Sequence, residues 1–388
     1  MGKFVRKFYK FISIIICALF IIFICNPNTV VADELDLSAL SAALIDGNTG
    51  RVLYEKNGYE KRPMASTTKI MTCIIALENG NPDDIVTVSA YAASMPDVHL
   101  GMKEGQQFYF RDLLYSLMLE SHNDTAVAIA EHIAGSVEKF AVLMNEKAVQ
   151  LGAYDTNFVT PNGLDDENHY TTAADLGLIS AYAVKNSDFI DITNTSSYSF
   201  STVDGISNYT VNNKNSFLSM MDGAIGIKTG YTSEAGYCFA GAVKTDDTTF
   251  ISIVLGSGWP PNKTYEWNDT KKLINYGIEN FSLENIFSGI DSLKTIEVEN
   301  GITDKIDTYV DGNLSVIKSA DEEVEYTVEV PDVIDAPVQA DETVGIYKIL
   351  LNGVQVGAFP IRATSGSDRI TLKYCINEIL FYFLLSGK

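Results

Sequence analysis

Hydrophobic and polar positions change their period several times along this chain of 388 residues. The first ten residues carry Lys3, Arg6, Lys7 and Lys10 with no acid, and an apolar run from Phe11 to Cys25 follows. That order is the pattern of a secretory signal, and Val30-Val31-Ala32 ahead of Asp33-Glu34 puts the expected cleavage after Ala32. The run is short for a span, since a bilayer core takes about 20 residues. Bulky Phe23-Ile24 before Cys25 argue against a lipoprotein signal.

From Leu37 to about residue 288 helical and strand periods mix. Ala42 to Asp46 and Arg51 to Glu55 flank Gly47-Asn48-Thr49-Gly50 and predict a hairpin. Ile70 to Leu77 is apolar nearly all round, as in a helix buried on every side. Arg111 to Leu119 and Thr125 to Ala134 predict two further helices separated by the polar break Glu120-Ser121-His122-Asn123. Ala224 to Lys228, Tyr237 to Val243 and Phe250 to Leu255 predict strands. The expected fold class is α/β (α+β), a mainly antiparallel sheet flanked by helices.

After about residue 289 the helical period vanishes. Short alternating runs such as Lys294 to Val298, Glu325 to Val330 and Ile346 to Leu351 predict a small all-β domain over residues 289–364, without clustered catalytic groups. Thr364 to Asp368 looks like a hinge, and the apolar stretch Ile370 to Leu385 gathers Thr371, Lys373, Asn377 and Glu378 on one arc. A helix of that length rises roughly 24 Å, less than the roughly 30 Å of hydrocarbon in a bilayer. The expectation is a linker and a helix over residues 365–388, the helix lying in the membrane interface rather than docked on the protein's own core. The domain limits expected are therefore 1–32, 33–288, 289–364 and 365–388.

Charge and cysteines narrow the classes. Fifty acidic side chains stand against 28 basic ones, a net charge of −22, and the leading segment takes four of the positive charges with it. This balance argues against nucleic-acid binding. After cleavage Cys73, Cys238 and Cys375 remain, so the fold rests on packed cores rather than a disulfide framework, with free buried thiols expected at positions 73 and 238.

His99, His122, His132 and His169 are scattered, with neither a Gly-x-Ser-x-Gly elbow nor a His-Glu-x-x-His pair, so a hydrolase here needs another base and no metal or cofactor is implied. Ser66-Thr67-Thr68-Lys69 supplies one at the head of the buried helix. The helix field and backbone N–H groups can stabilise an oxyanion, and a lysine one turn on can take the serine proton once burial and a nearby cation lower its pKa. Alone, an N-capping Ser with an unrelated Lys would look the same. Ser121-His122-Asn123 can project a hydroxyl and an amide from a loop into a cleft, although Asn123 or Asp124 could equally cap the following helix. Lys228-Thr229-Gly230 follows a strand-like run. There the side-chain-free Gly230 would let an extended peptide pair with the edge while Lys228 and Thr229 grip its carboxylate, the plainer alternative being a turn with a solvated lysine.

The three motifs together, in this order, match the set shared by penicillin-binding proteins and serine β-lactamases. With Thr160-Pro161-Asn162-Gly163-Leu164-Asp165 and Gly226-Ile227-Lys228-Thr229-Gly230-Tyr231-Thr232, essentially the whole mature chain resembles low-molecular-mass, serine-type D-alanyl-D-alanine carboxypeptidases. The resemblance implies Ser66 as nucleophile, Lys69 as general base and Ser121 as proton shuttle. It implies Asn123 for substrate positioning, Lys228 and Thr229 for carboxylate binding, and the backbone N–H groups of Ser66 and Tyr231 as oxyanion hole. The implied substrate is a peptidoglycan pentapeptide ending in D-Ala-D-Ala, with β-lactams as covalent inhibitors, at the outer face of a bacterial cytoplasmic membrane. Two departures stand out: His122 fills a place where many relatives carry Gly or Asp, and it is expected to point away from the site; Asn162 stands where a His is frequent.

Rival readings differ in testable ways. A class A β-lactamase adds a loop glutamate, and Glu167 lies in the wrong sequence context for it. A non-catalytic sensor would carry damage in one of the motifs, and all three are intact. An endopeptidase acting on cross-links would use the same site.

Overall fold

The computed structural model describes residues 35–246 and 248–385, so the expected signal over residues 1–32 and its cleavage point lie outside the described residues. At its centre is a five-stranded antiparallel sheet. Strand β1 (Ser41–Asp46) and strand β2 (Val52–Lys56) form the expected hairpin, and helix α1 (Lys69–Asn79) follows a single 3-10 turn, Ala65–Thr68. Helices α2 (Asn123–Ala134) and α3 (Ala173–Ala183) come next. Strands β3 (Ala224–Thr232), β4 (Gly236–Lys244) and β5 (Thr249–Leu255) then complete the sheet in the order β2-β1-β5-β4-β3, and helix α4 (Tyr265–Asn280) packs on β4 and β5. Strand β3, which carries the third motif, is therefore an edge.

Helix α1 is buried on all sides through Lys69, Ile70, Met71, Thr72, Cys73, Ile74, Ile75 and Ala76. Each large apolar side chain taken from water stabilises the fold by about 1.5–3 kcal/mol, which offsets the cost of burying the Lys69 amine beside them. Cys73 and Cys238 are free and buried, as expected, and burial holds both thiols above the ordinary cysteine value. They are packing residues.

Two elements depart from the sequence pattern. The helix expected from Arg111 to Leu119 is an α-helix only over Phe110–Tyr115. It then widens into a π-helical turn at Ser116–Glu120, a form that recurs at functional sites. Strand β3 does not stop at Lys228, as its pattern predicts, but runs through the whole motif to Thr232.

Strands between Ser282 and Ala363 build the C-terminal all-β domain. Its six-stranded sheet joins Val324–Glu329, Thr343–Leu351, Val354–Ala363, Lys305–Val310, Ile290–Glu299 and Val333–Asp335 in that order, antiparallel except for the last pair. Arg51, from the β1–β2 turn, pairs with Glu322 and donates to the Ile317 carbonyl, tying this domain to the central sheet. Helix α5 (Leu372–Leu385) ends the described chain with none of its residues buried, so it is not docked on the core. Among the described residues no helix is long and apolar enough to cross a membrane.

Candidate active site

The turn before helix α1 is built by short polar residues. Thr67 Oγ1 donates to the Met64 carbonyl at 2.6 Å and Thr68 Oγ1 to the Ala65 carbonyl at 2.7 Å, while Ala65 takes a left-handed φ of 48°. Ser66 thereby emerges half-buried at the base of the sheet edge. Lys69 follows one turn later, fully buried, with its amine 2.9 Å from Ser66 Oγ, 2.9 Å from Asn123 Oδ1 and 2.6 Å from the Asn162 carbonyl. Burial, reinforced by the Lys228 cation, holds the Lys69 amine well below the ordinary lysine value, and Asp124 opposes the shift.

The π-helical turn ends at Ser121, whose backbone is left-handed at φ 67° and ψ 34°. Such a conformation costs an L-residue roughly 1–2 kcal/mol. Ser121 Oγ is buried and has no hydrogen-bond partner among the described residues. His122 turns the other way, as expected: its Nδ1 lies 2.8 Å from Ser116 Oγ and its Nε2 is 3.3 Å from Glu120. Burial lowers its pKa. Asn123 then starts helix α2, donating through Nδ2 to the Pro96 and Asp97 carbonyls at 3.2 Å each.

Lys228 is buried, its amine donating to the Thr229 carbonyl at 3.0 Å, and desolvation pulls its pKa down to about 7. Gly230 touches the Ser66 turn: a Cβ there would lie 2.9 Å from the Ser66 amide nitrogen and 3.0 Å from that of Thr67. Thr229 is half-buried and Tyr231 exposed. Ser66, Lys69 and Asn123 are thus joined by direct hydrogen bonds, and Lys228 acts on Lys69 through its charge. Ser121, Thr229 and Tyr231 make no hydrogen bond to that group.

The chain carries a serine at hydrogen-bond distance from a buried amine of depressed basicity, beside a strand edge open to an extended peptide. Comparison with known proteins identifies the setting. A family model described as D-alanyl-D-alanine carboxypeptidase matches residues 27–258, and one described as penicillin-binding protein 5, C-terminal domain, matches residues 281–367. The chain belongs to the D-alanyl-D-alanine carboxypeptidase family. It is 30% identical over 339 residues to D-alanyl-D-alanine carboxypeptidase DacF of Bacillus subtilis, covering 85% of this chain and 86% of that one. The enzyme of the same description from Streptomyces sp. strain K15 is 34% identical over 268 residues, 65% of this chain and 91% of that one. Among solved structures, penicillin binding protein 5 of Haemophilus influenzae superposes with a TM-score of 0.71 at 25% identity, covering 87% of this chain and 100% of that one. Penicillin binding protein 6B of Escherichia coli gives a TM-score of 0.64 at 27% identity, covering 86% and 97%.

Three groups of this carboxypeptidase-family chain lie beyond what its motifs announce. The Asn162 carbonyl accepts from Lys69 and lies 3.4 Å from Ser66 Oγ, whereas its side chain faces Met95 Sδ and the Leu164 amide. Its neighbour Gly163, at φ 83°, sits where a Cβ would lie 2.1 Å from the Ala65 carbonyl oxygen, so only glycine lets the loop close on the turn. Asp124 accepts from the amides of Leu100, Gly101 and Met102, fixing the continuation of Pro96–Val98, whose carbonyls hold Asn123. His169 receives the Val159 amide on Nδ1 and meets Thr68 Oγ1 at 2.8 Å through Nε2; burial drops its pKa to about 4, so it serves as a neutral brace. Glu167, by contrast, is exposed.

Proposed function

We propose that this chain is a serine-type D-Ala-D-Ala carboxypeptidase that releases the terminal D-Ala of peptidoglycan stem peptides through an acyl-enzyme on Ser66. The observation that carries the reading is the 2.9 Å contact between Ser66 Oγ and a Lys69 amine held below its ordinary pKa. Neutral Lys69 takes the Ser66 proton as Oγ bonds to the penultimate D-Ala carbonyl carbon. The Ser66 and Tyr231 amides receive the oxyanion, which costs no reorganisation because both are already fixed in the turn and the strand. The peptide C–N bond then breaks, and the leaving D-Ala amine takes a proton through the Ser121 hydroxyl, which has no competing partner. Asn123 orients the substrate and Lys69, and Lys228 with Thr229 holds the terminal carboxylate. Water, deprotonated by Lys69, attacks the ester and restores Ser66. β-Lactams acylate Ser66 as substrate mimics.

The same reading includes export by residues 1–32, with cleavage after Ala32, an all-β domain that spaces the site from the membrane, and attachment through helix α5. Supporting attachment, Leu372, Ile379, Leu380, Phe381, Phe383, Leu384 and Leu385 all project into solvent.

The test is intact-protein mass spectrometry after brief penicillin treatment, beside Ser66→Ala, with D-Ala release from a D-Ala-D-Ala peptide assayed in parallel. A stable adduct lost in the variant, together with D-Ala release, is the expected result. Rapid penicillin turnover without an adduct would point to a β-lactamase, and neither adduct nor release would end the enzymatic reading.

A further inference from the structure

The left-handed Ser121 stands between two side chains that the reaction chemistry leaves unused. His122 is buried, and its ring bridges the two ends of the π-helical turn. Nδ1 lies 2.8 Å from Oγ of Ser116, the first residue of the turn, and Nε2 faces the carboxylate of Glu120, the last, at 3.3 Å. That carboxylate keeps the proton of the neutral imidazole on Nε2, so Nδ1 accepts from the Ser116 hydroxyl. Ser116 Oγ also meets Thr125 Oγ1 at 2.9 Å, which ties the turn to the start of helix α2. Glu120 is anchored from the opposite side by the hairpin of Ser197–Ser201 and Asn208–Asn212 and the residues that follow it. Its Oε1 accepts from the Asn212 amide and the Lys214 amine, both at 3.0 Å, and the Lys214 amide donates to the Leu119 carbonyl at 3.1 Å.

A serine with a left-handed backbone and a buried hydroxyl that bonds to nothing among the described residues does not hold itself in place, since both features disfavour the conformation. Its neighbours fix it instead. Glu120 is pinned on the hairpin side. His122 is pinned on the α2 side, where the amide of the next residue, Asn123, donates to the Val98 carbonyl at 2.7 Å. Rotation of the Ser121 backbone towards an ordinary helical or extended form would break contacts on both sides at once. We infer that Glu120 and His122 are positioning residues, a clamp that holds Ser121 in the left-handed conformation and leaves its hydroxyl free to pass the proton. This rests on the carboxypeptidase reading, in which Ser121 carries that proton, and adds to it what keeps the hydroxyl in place.

The full-length protein is compared with Ser121→Ala, His122→Leu and the double variant in the first-order step of penicillin acylation, followed by stopped flow at saturating penicillin. His122→Leu should slow that step about tenfold when Ser121 is present and less than about twofold beside Ser121→Ala, where nothing is left to position. A merely structural loss would scale both backgrounds alike. Glu120→Ala, at a partly exposed side chain, runs the same cycle if leucine at 122 prevents folding. Equal factors in the two backgrounds, or wild-type acylation in the folded clamp variants, overturns the clamp while the carboxypeptidase reading stands. Wild-type acylation in Ser121→Ala overturns the proton role given to Ser121, and the clamp with it; no acylation of the wild type overturns the carboxypeptidase reading itself.

Discussion

Gly230 and Ser66 touch without a side chain between them, since a Cβ on Gly230 would lie 2.9 Å from the Ser66 amide nitrogen. Gly230→Ala must therefore push the strand away from the turn. A displacement of about 1 Å at a reacting centre can cost about 100-fold in rate. Penicillin acylation followed by stopped flow should slow by about that factor, while circular dichroism shows a folded protein. Wild-type acylation in Gly230→Ala would mean that the edge is not where substrate lies.

The two buried lysines pull the pH dependence in opposite directions. Lys69 acts as a base when neutral, so the reactive fraction grows as pH rises through its depressed pKa. Lys228 binds a carboxylate when charged, so that fraction shrinks as pH rises past about 7. The expected kcat/KM profile for D-Ala release is a bell whose alkaline limb begins near pH 7. Lys228→Arg, permanently charged, should lower the rate and abolish that limb. A limb that persists in the arginine variant would assign it to another group.

Lys228 also links pH to stability. Its folded pKa lies below the unfolded value, so between the two the unfolded chain binds more protons and stability increases with pH. Urea unfolding should therefore show a gain in stability from pH 7 to pH 10, and Lys228→Met should reduce it, the remainder coming from Lys69, whose pKa is lowered in the same direction. An equally steep gain in the methionine variant would show that Lys228 is not its source.

Ser121 combines a left-handed backbone with an unpartnered hydroxyl. Ser121→Gly should remove both costs and raise stability by about 1 kcal/mol, while acylation drops by about 100-fold or more with the loss of proton transfer. Thermal melts and acylation rates on one preparation test the pairing, and a destabilised glycine variant would count against it.

Asp124 accepts three backbone N–H groups from the segment Leu100–Met102. Asp124→Ala leaves buried donors unmet and should cost about 3 kcal/mol. Because that segment continues Pro96–Val98, whose carbonyls hold Asn123, KM for the peptide should rise more than kcat falls.

Much of this arrangement was legible from residue order, and its gaps have physical causes. Ser66, Lys69, Ser121, Asn123 and Lys228 are side chains at fixed spacing, so motifs reveal them. The Asn162 contribution is a carbonyl, which every residue has, and so the sequence is silent about it. His169 looked scattered because its partners, Thr68 and the Val159 amide, lie far away or belong to the backbone. Gly226 and Gly230 broke the strand period and made Lys228 look like the end of β3, whereas at position 230 the glycine answers the close approach of another chain segment. The widening at Ser116–Glu120 changes the hydrogen-bond pattern within an apolar run and leaves no compositional trace.

An open sheet edge is a template for unwanted pairing with other chains. Strand β3 is such an edge, and it is rich in small residues with few charges to repel a neighbour. The Ala65–Thr68 turn packs on a face of this strand, where a Cβ on Gly230 would point, and not along its hydrogen-bonding edge. The edge proposed to take the substrate peptide is thus also where a second chain would pair, and a peptide that occupies it should raise solubility.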